Sequence, residues 1–238
     1  MITYVNAQKG ERQMDQGISE TSRYNKYYFE NLHGKSFYYL KYIPQNSNNK
    51  KMPLLVFMHG AGERGEDDGS ELELVARYGF FEQIKNVGKE FPFIIVGPQC
   101  PRNKYWGSYI ESLNEFLDHI IEVDNVDVTR IYLTGLSMGG TATWLWALDS
   151  PERFAAITPV CGESINWYAD NLKNIPVQAY HGDIDHIVSI HESVEMVSKI
   201  NSCGGNASLK IYHGVKHNAW DYAYNDEMVE WLLDKSKV

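Results

Sequence analysis

The stretch Gly135-Leu136-Ser137-Met138-Gly139-Gly140 decides the fold. It follows an apolar run, 130–134, that is typical of a buried strand, and it precedes 141–148, which has helical composition. A G-x-S-x-G sequence between a strand and a helix predicts a sharp turn that exposes the serine hydroxyl, with glycines where a Cβ would crowd the backbone. We predict that Ser137 is a nucleophile and that the Met138 amide stabilises an oxyanion. A glycine-rich structural turn is the alternative interpretation.

Outward from this stretch, short apolar runs alternate with segments of helical period. The runs are typical of strands buried on both faces, and they cover 54–58, 93–96, 130–134, 155–160, 177–180 and 209–212. Ser108 with Glu111, and Ser189 with Glu192, predict capped helix starts. Aromatic segments at 27–29 and 36–43 predict an antiparallel hairpin. The pattern predicts an α/β fold with a mostly parallel central sheet, helices on both faces, and ligands beyond the carboxyl ends of the strands.

Composition limits the classes of partner. The chain has 238 residues, 43% of them hydrophobic, which predicts one domain over 1–238, with about 1–22 as a loosely ordered extension. A net charge of −9 lacks the basic footprint that binds nucleic acid or an anionic membrane, so we predict neither partner. Without a membrane-length apolar run or a signal-peptide core, the chain is predicted to be cytoplasmic, or secreted if a signal peptide has been removed.

A serine nucleophile needs a base, and the base needs an acid that orients it. In the chain order typical of this turn, the acid comes next and the histidine last. The run 177–180 leads to Asp183 and Asp185; we favour Asp185, and Asp183 is the alternative that instead bonds backbone amides in a turn. The run 209–212 leads to His213 and His217. We predict His217 as the base because it lies beyond Gly214, and we expect His213 to pack at the strand end.

The run 54–58 ends in His59-Gly60-Ala61-Gly62-Glu63-Arg64-Gly65. This loop predicts a second oxyanion amide, Ala61, with Gly62 as the alternative. A phosphate-binding loop is disfavoured because the G-K-[ST] ending is missing. The remaining histidines lack metal-ligand spacing and are expected to be structural or solvated: His33, His59, His119, His181, His186 and His191. We therefore predict no metal and no cofactor.

The cysteines, Cys100, Cys161 and Cys203, show neither a metal spacing nor a disulfide framework. Free thiols are predicted, and a disulfide between Cys100 and Cys161 is the alternative.

Six motifs together resemble one family. They are HGAGERG at 59–65, GPQCP at 97–101, GLSMGG at 135–140, PVCG at 159–162, HGDIDHIV at 181–188 and HGVKHNAW at 213–220. The motifs and their order along the chain resemble those of α/β-hydrolase esterases known as phospholipase/carboxylesterase-like proteins or predicted peptidases. This group is akin to feruloyl and acetylxylan esterases. The resemblance extends from about Tyr38 to Trp231. It implies an α/β-hydrolase fold, a triad of Ser137, Asp185 and His217, and oxyanion amides from Ala61 and Met138.

Two positions depart from the family pattern. Proteins of this group often have proline where His186 and Ser189 stand. Because both positions flank Asp185, the loop that carries the acid is expected to be held differently here.

The expected site is open. The stretch 162–174, which lies between the predicted strands 155–160 and 177–180, has only thirteen residues and is too short for a lid domain. Four aromatic residues on strand-end loops are predicted to contact sugar or aryl faces, or alternatively to pack the rim; they are Tyr105, Trp106, Trp167 and Trp220.

The predicted function is that of a serine carboxylesterase for short-chain or aryl esters, acetyl or feruloyl, on small molecules or polysaccharides. The alternatives are a serine peptidase of the same fold and a non-catalytic hydrolase-fold binding protein. The sequence leaves the oligomeric state open.

Overall fold

Strands in the described residues form a single sheet. The computed structural model describes residues 11–14, 23–31, 34–45 and 50–237. The nine strands found there are β1 (Glu11–Gln13), β2 (Asn25–Phe29), β3 (Phe37–Tyr42), β4 (Met52–Met58), β5 (Ile94–Pro98), β6 (Val126–Leu136), β7 (Ala156–Val160), β8 (Val177–Gly182) and β9 (Ala207–Tyr212). They lie in the order β1-β2-β3-β5-β4-β6-β7-β8-β9. Pairing is antiparallel from β1 to β5 and parallel from β5 to β9.

Helices cover both faces of this sheet. They are α1 (Gly79–Val87), α2 (Ile110–Val123), α3 (Met138–Asp149), α4 (Ile190–Ser202), α5 (Trp220–Ala223) and α6 (Asp226–Leu233). Residues of α2, α3 and α4 pack in one buried core, and residues of α1, α5 and α6 pack in the other. Neighbouring residues of β4 alternate between the cores, with Val56 in the first and Phe57 in the second. Each core therefore lies on one face of the sheet.

The predicted fold class is confirmed. Each of the six apolar runs matches one of the strands β4 to β9, although the runs 93–96 and 155–160 begin one residue before their strands, and the aromatic segments form the β2–β3 hairpin. Part of the predicted N-terminal extension is ordered, because Glu11–Gln13 pairs with β2. The residues 1–10 and 15–22 of that extension lie outside the described residues. Because β4 and β6 to β9 run in parallel, their carboxyl ends meet at one edge of the sheet.

The two predicted helix caps have different outcomes. Ser189 caps α4 as expected, since its side chain accepts a hydrogen bond from the His191 amide. The prediction for Ser108 is wrong. A 3-10 helix, Trp106–Tyr109, precedes α2. The Ser108 hydroxyl lies within it and donates to the Tyr105 carbonyl, so it does not cap α2. The helix α2 starts at Ile110 without a side-chain cap.

The cysteines are free thiols, as predicted, and the alternative of a Cys100–Cys161 disulfide is wrong. Cys100 lies in the core under α2 and α3, whereas Cys161 lies in the core under α1 and α6. The two residues follow β5 and β7, and the strands β4 and β6 lie between these in the sheet. Among the helices of the described residues, none combines the length and the apolar composition that a membrane crossing requires.

Candidate active site

The turn between β6 and α3 holds Ser137 in a strained conformation. Ser137 has φ 53°, in the left-handed region that non-glycine residues rarely adopt. The backbone is packed so closely that a Cβ on Gly135 would come within 2.3 Å of the Gly139 carbonyl oxygen, and one on Gly139 within 2.0 Å of the Met58 carbonyl oxygen. Only glycine fits at these two positions. A strained serine between two closely packed glycines is typical of the nucleophile turn that the sequence predicts.

Ser137, His217 and Asp185 form a continuous chain of hydrogen bonds. Asp185 Oδ2 lies 2.6 Å from His217 Nδ1, and His217 Nε2 lies 2.8 Å from Ser137 Oγ. Because the carboxylate can only accept, Nδ1 carries the proton and Nε2 is free to accept from the Ser137 hydroxyl. This is the tautomer that a general base for Ser137 requires.

Asp185 is held as a carboxylate at the buried end of this chain. Its side chain is fully buried. Burial by itself raises the pKa of Asp185, but hydrogen bonds from His217 and from the amides of Ile187 and Val188 outweigh it and keep the pKa below its usual value. The two amides lie 2.9 and 3.0 Å from Oδ1, which leaves Oδ2 for His217.

The second aspartate and histidine of the same loops form a separate pair. Asp183 Oδ2 lies 2.9 Å from His213 Nδ1, and Asp183 Oδ1 accepts a 2.7 Å hydrogen bond from the Gly214 amide. The expectation that His213 packs at the strand end is wrong, since 86% of its side chain is exposed. The edge strand β9 leaves that position open to solvent. Of the two pairs, only Asp185 with His217 is linked to Ser137.

The loop after β4 runs beside the serine turn. Met58 pairs with Gly135 in the sheet, and a 3-10 helix, Ala61–Glu63, begins two residues after His59. Ala61 is thus three residues beyond a strand end that touches the turn, while Met138 is the first residue of α3. The two predicted oxyanion residues are brought to the same edge of the sheet.

Three side chains for which the sequence predicted no such role hold this loop in place. The Trp106 indole Nε1 donates to the His59 carbonyl at 3.2 Å, Gln99 donates to the Glu63 carbonyl at 3.0 Å, and Arg64 Nε donates to the Ala61 carbonyl at 2.8 Å. His59 itself is fully buried. Its Nε2 accepts from the Cys100 amide at 2.9 Å, so Nδ1 carries the proton and donates to the Gly60 carbonyl at 2.6 Å.

The four predicted aromatic contacts have different environments. The prediction for Trp106 is wrong, because this side chain is 1% exposed and its 3-10 helix turns it inward against His59. Trp167 is 87% exposed and Tyr105 is 65% exposed. Trp220 is half-buried and packs edge-on against the His217 imidazole, with ring centres 5.3 Å apart.

The remaining predicted structural histidines also differ in environment. His181 and His119 are buried, whereas His186 and His191 are exposed. His33 lies outside the described residues.

One buried group combines residue types that can ligate zinc. Ligand atoms of Cys161, His181 and Asp185 lie within 4.8 Å of one another. Asp185 Oδ2 is bonded to His217, both His181 nitrogens have hydrogen-bond partners, and burial raises the pKa of the Cys161 thiol to about 12. We interpret the group as hydrogen-bonded support for Asp185. That the chain needs no metal stays a prediction.

The burial of His59 predicts how stability depends on pH. Burial lowers the pKa of His59 from 6.5 to about 4. Below about pH 6.5 the unfolded chain binds a proton on this side chain that the folded chain does not bind until about pH 4, so stability falls as the pH falls through this window. The His59 contribution is about 3 kcal/mol. We expect urea unfolding of His59→Gln to lose less stability between pH 7 and pH 4 than the wild type.

A matched control for this prediction is His191→Gln, which changes an exposed histidine. It should keep the pH dependence of the wild type, because the carboxylates that titrate in the same window are common to all three proteins. Equal slopes in His59→Gln and His191→Gln would contradict the prediction.

Comparison with known proteins agrees with this fold. The family model for phospholipases and carboxylesterases matches residues 43–228 of the 238. The chain belongs to the phospholipase/carboxylesterase family. This confirms the family that the motifs predicted.

Individual relatives of this carboxylesterase-family protein are more distant. Acetylxylan esterase A of Aspergillus awamori is 24% identical over 200 residues, which cover 80% of this chain and 64% of that protein. A solved thermostable esterase has a TM-score of 0.77 and 29% identity, covering 91% of this chain and 64% of that one. The chain thus spans less than two thirds of the length of either relative. The structure is also similar to that of an acylaminoacyl peptidase, with a TM-score of 0.68 and 16% identity; the match covers 90% of this chain and 42% of the peptidase chain. At this identity the similarity shows a shared fold alone.

Proposed function

We propose that this protein is a serine carboxylesterase that hydrolyses short-chain or aryl esters through an acyl-enzyme. The observation that carries the proposal is the chain from Ser137 Oγ through His217 to Asp185, with distances of 2.8 and 2.6 Å. Family membership supports it independently. A non-catalytic binding protein would have no need of a strained serine joined to a histidine and a buried carboxylate.

In the proposed reaction, Ser137 Oγ attacks the ester carbonyl carbon while its proton moves to His217 Nε2. The Asp185 carboxylate keeps the imidazole in the correct tautomer and stabilises the cation that forms. Amides of Ala61 and Met138 bind the developing oxyanion. His217 then gives the proton to the leaving alcohol, and the same groups activate the water that releases the acid.

The surroundings of Ser137 favour substrates that reach an open surface. Between β7 and β8 the chain contains a short 3-10 helix, Asn166–Leu172, and its loop is tied to the first turn of α3 by a 2.9 Å hydrogen bond from the Glu163 amide to Thr141 Oγ1. This helix carries the exposed indole of Trp167. A large exposed ring on this loop can stack on a sugar or an aryl group. We therefore propose acetyl or feruloyl esters, including those carried by carbohydrates, as the substrate class.

A panel of acetyl, butyryl and feruloyl esters with one peptide amide tests this proposal. We expect ester hydrolysis with kcat/KM above about 10⁴ M⁻¹ s⁻¹ for the best ester, a value typical of enzymes on their own substrates. The peptide amide should be hydrolysed far more slowly. Preferred cleavage of the amide would indicate a peptidase instead, and failure to cleave any member would contradict the proposed activity.

The same panel on Trp167→Ala tests the substrate class. We expect KM for a feruloyl or acetylated-sugar ester to rise about 5-fold, as the loss of one stacking contact of about 1 kcal/mol implies, with kcat unchanged. KM for a small acetyl ester with no ring should not move. The control is Trp231→Ala, which changes a half-buried tryptophan on α6, away from the carboxyl edge of the sheet. If Trp167→Ala left KM unchanged for the ring-bearing ester as well as for the small ester, Trp167 would only form part of the rim.

A further inference from the structure

A second buried histidine lies behind Asp185, and the reaction proposed above does not use it. His181 is the next-to-last residue of β8 and is fully buried. Its Nε2 lies 3.0 Å from the Val188 carbonyl oxygen and 3.4 Å from Asp185 Oδ2, and its Nδ1 lies 2.8 Å from Ser193 Oγ. It thus connects the end of β8, the loop that carries Asp185, and the first turn of α4.

The hydrogen-bond partners determine which His181 nitrogen carries the proton. The Val188 carbonyl and the Asp185 carboxylate can only accept, so Nε2 must be the protonated nitrogen. Nδ1 then accepts from the Ser193 hydroxyl, which is itself buried. Burial lowers the pKa of His181, in agreement with a neutral ring.

This arrangement places an N–H dipole against the carboxylate that orients His217. Oδ1 of Asp185 is bonded to two backbone amides, while Oδ2 faces His217 at 2.6 Å and His181 at 3.4 Å. In the described residues the titratable groups around Asp185 are His217, His181 and Cys161. Of these, Cys161 keeps its proton because burial raises the pKa of its thiol to about 12.

We propose that His181 is a positioning residue, which holds the Asp185 carboxylate and its loop in place for His217, with Ser193 fixing the orientation of the His181 ring. The His181 Nε2–H group faces both the Asp185 carboxylate and the Val188 carbonyl, which are the two ends of the loop 185–188. This inference rests on the proposed triad. It goes beyond the triad because it assigns a role to a fourth and a fifth side chain, neither of which touches the substrate.

The test compares pH profiles of kcat/KM for an ester in wild type, His181→Leu and His181→Gln. Loss of the His181 Nε2–H, which donates to the Val188 carbonyl and lies 3.4 Å from Asp185 Oδ2, should lower kcat/KM of His181→Leu about 10- to 100-fold, mainly through kcat. Because the carboxylate then lacks this nearby N–H dipole, it stabilises protonated His217 more strongly, so the acidic limb of the profile should move up by about half to one pH unit. The Gln amide can donate to the same oxygens, and we expect it to restore most of both effects.

A second variant keeps the proposal testable if His181→Leu does not fold. Ser193→Ala removes the donor to Nδ1 but leaves the ring in place, and it should shift the acidic limb in the same direction by a smaller amount. His213→Leu is the control, since it changes an exposed histidine that is paired with Asp183, and its profile should match the wild type. Thermal unfolding of each variant measures any loss of stability separately.

The outcomes separate this inference from the proposed function. An acidic limb that stays in place or moves to lower pH in the His181 and Ser193 variants would overturn the positioning role, whatever happens to their stability. A zinc ion that copurifies with the wild type and is lost in Cys161→Ala would also overturn it, because the cluster would then be a metal site. If Ser137→Ala keeps its activity, the triad itself is wrong.

Discussion

Replacing Ser137 by alanine is expected to lower kcat/KM for ester hydrolysis by about 10⁴-fold or more. The hydroxyl is the proposed nucleophile, and the members of a triad act as a unit, so the remaining His217 and Asp185 cannot compensate. The measurement is the steady-state rate on the best ester of the panel. The fold should be unchanged, because the substitution removes one half-buried hydroxyl and leaves the glycines of the turn intact.

Ser202→Ala is the matched control for this variant. Its hydroxyl is exposed and donates to the Lys199 carbonyl at the far end of α4, so both the activity and the unfolding transition should match those of the wild type. Activity near the wild-type level in Ser137→Ala, with protein that is folded by circular dichroism, would refute the proposed mechanism as a whole.

Asp185→Asn is expected to reduce turnover by about 10⁴-fold, the loss seen when the acid of a triad becomes an amide. An asparagine can present its NH₂ group to His217 Nδ1 and so favour the wrong tautomer, which places the proton on Nε2, where the Ser137 proton has to go. The charge that stabilises protonated His217 is also lost. Rates on the same ester measure the effect.

Asp183→Asn is the natural comparison, because it makes the same chemical change two residues away. Asp183 pairs with the exposed His213 and with the Gly214 amide, so its loss should affect the turn after β9 and leave kcat within about 3-fold of the wild type, the scale of a surface substitution. If Asp183→Asn lost the activity and Asp185→Asn kept it, the acid would have to be reassigned.

Local patterns account for most of what could be predicted from the sequence. The nucleophile turn is recognised from a short sequence between a strand and a helix, and the buried strands are recognised from short apolar runs, so neither prediction requires knowledge of distant contacts. This explains why the fold class and the family were both predicted correctly. The candidates for acid and base could also be named, because they follow strands whose ends must meet at one edge.

Which aspartate meets which histidine depends on tertiary structure. The loops after β8 and β9 pair as two successive contacts, Asp183 with His213 and Asp185 with His217, and only the distance to Ser137 distinguishes them. The sequence positions of Asp183 and Asp185, two residues apart, do not show which of them comes close to the histidine that contacts Ser137. Our preference for Asp185 relied partly on family resemblance, and the catalytic roles stay predictions.

The errors arise where a side chain's direction is set by distant packing. Trp106 lies in a 3-10 helix, whose short turn has no periodicity from which an inward or outward side could be read, and it points inward onto His59. A signal for the buried supports was present, because a His-Gly pair follows three of the apolar runs, at 59–60, 181–182 and 213–214. The first two histidines are buried and hold loops, whereas the third is exposed on the edge strand.

The position of β9 at the end of the sheet bears on how the arrangement of Ser137 and His217 is disrupted when the protein opens locally. Ser137 follows the central strand β6, which has parallel neighbours on both sides, but His217 follows β9, which among the described strands pairs with β8 alone. The contact between the two spans 80 residues of chain. Fraying of this terminal strand would withdraw the histidine while the serine turn and most of the sheet stay folded. We therefore expect heat or denaturant to abolish activity through local opening of this edge before the domain unfolds globally.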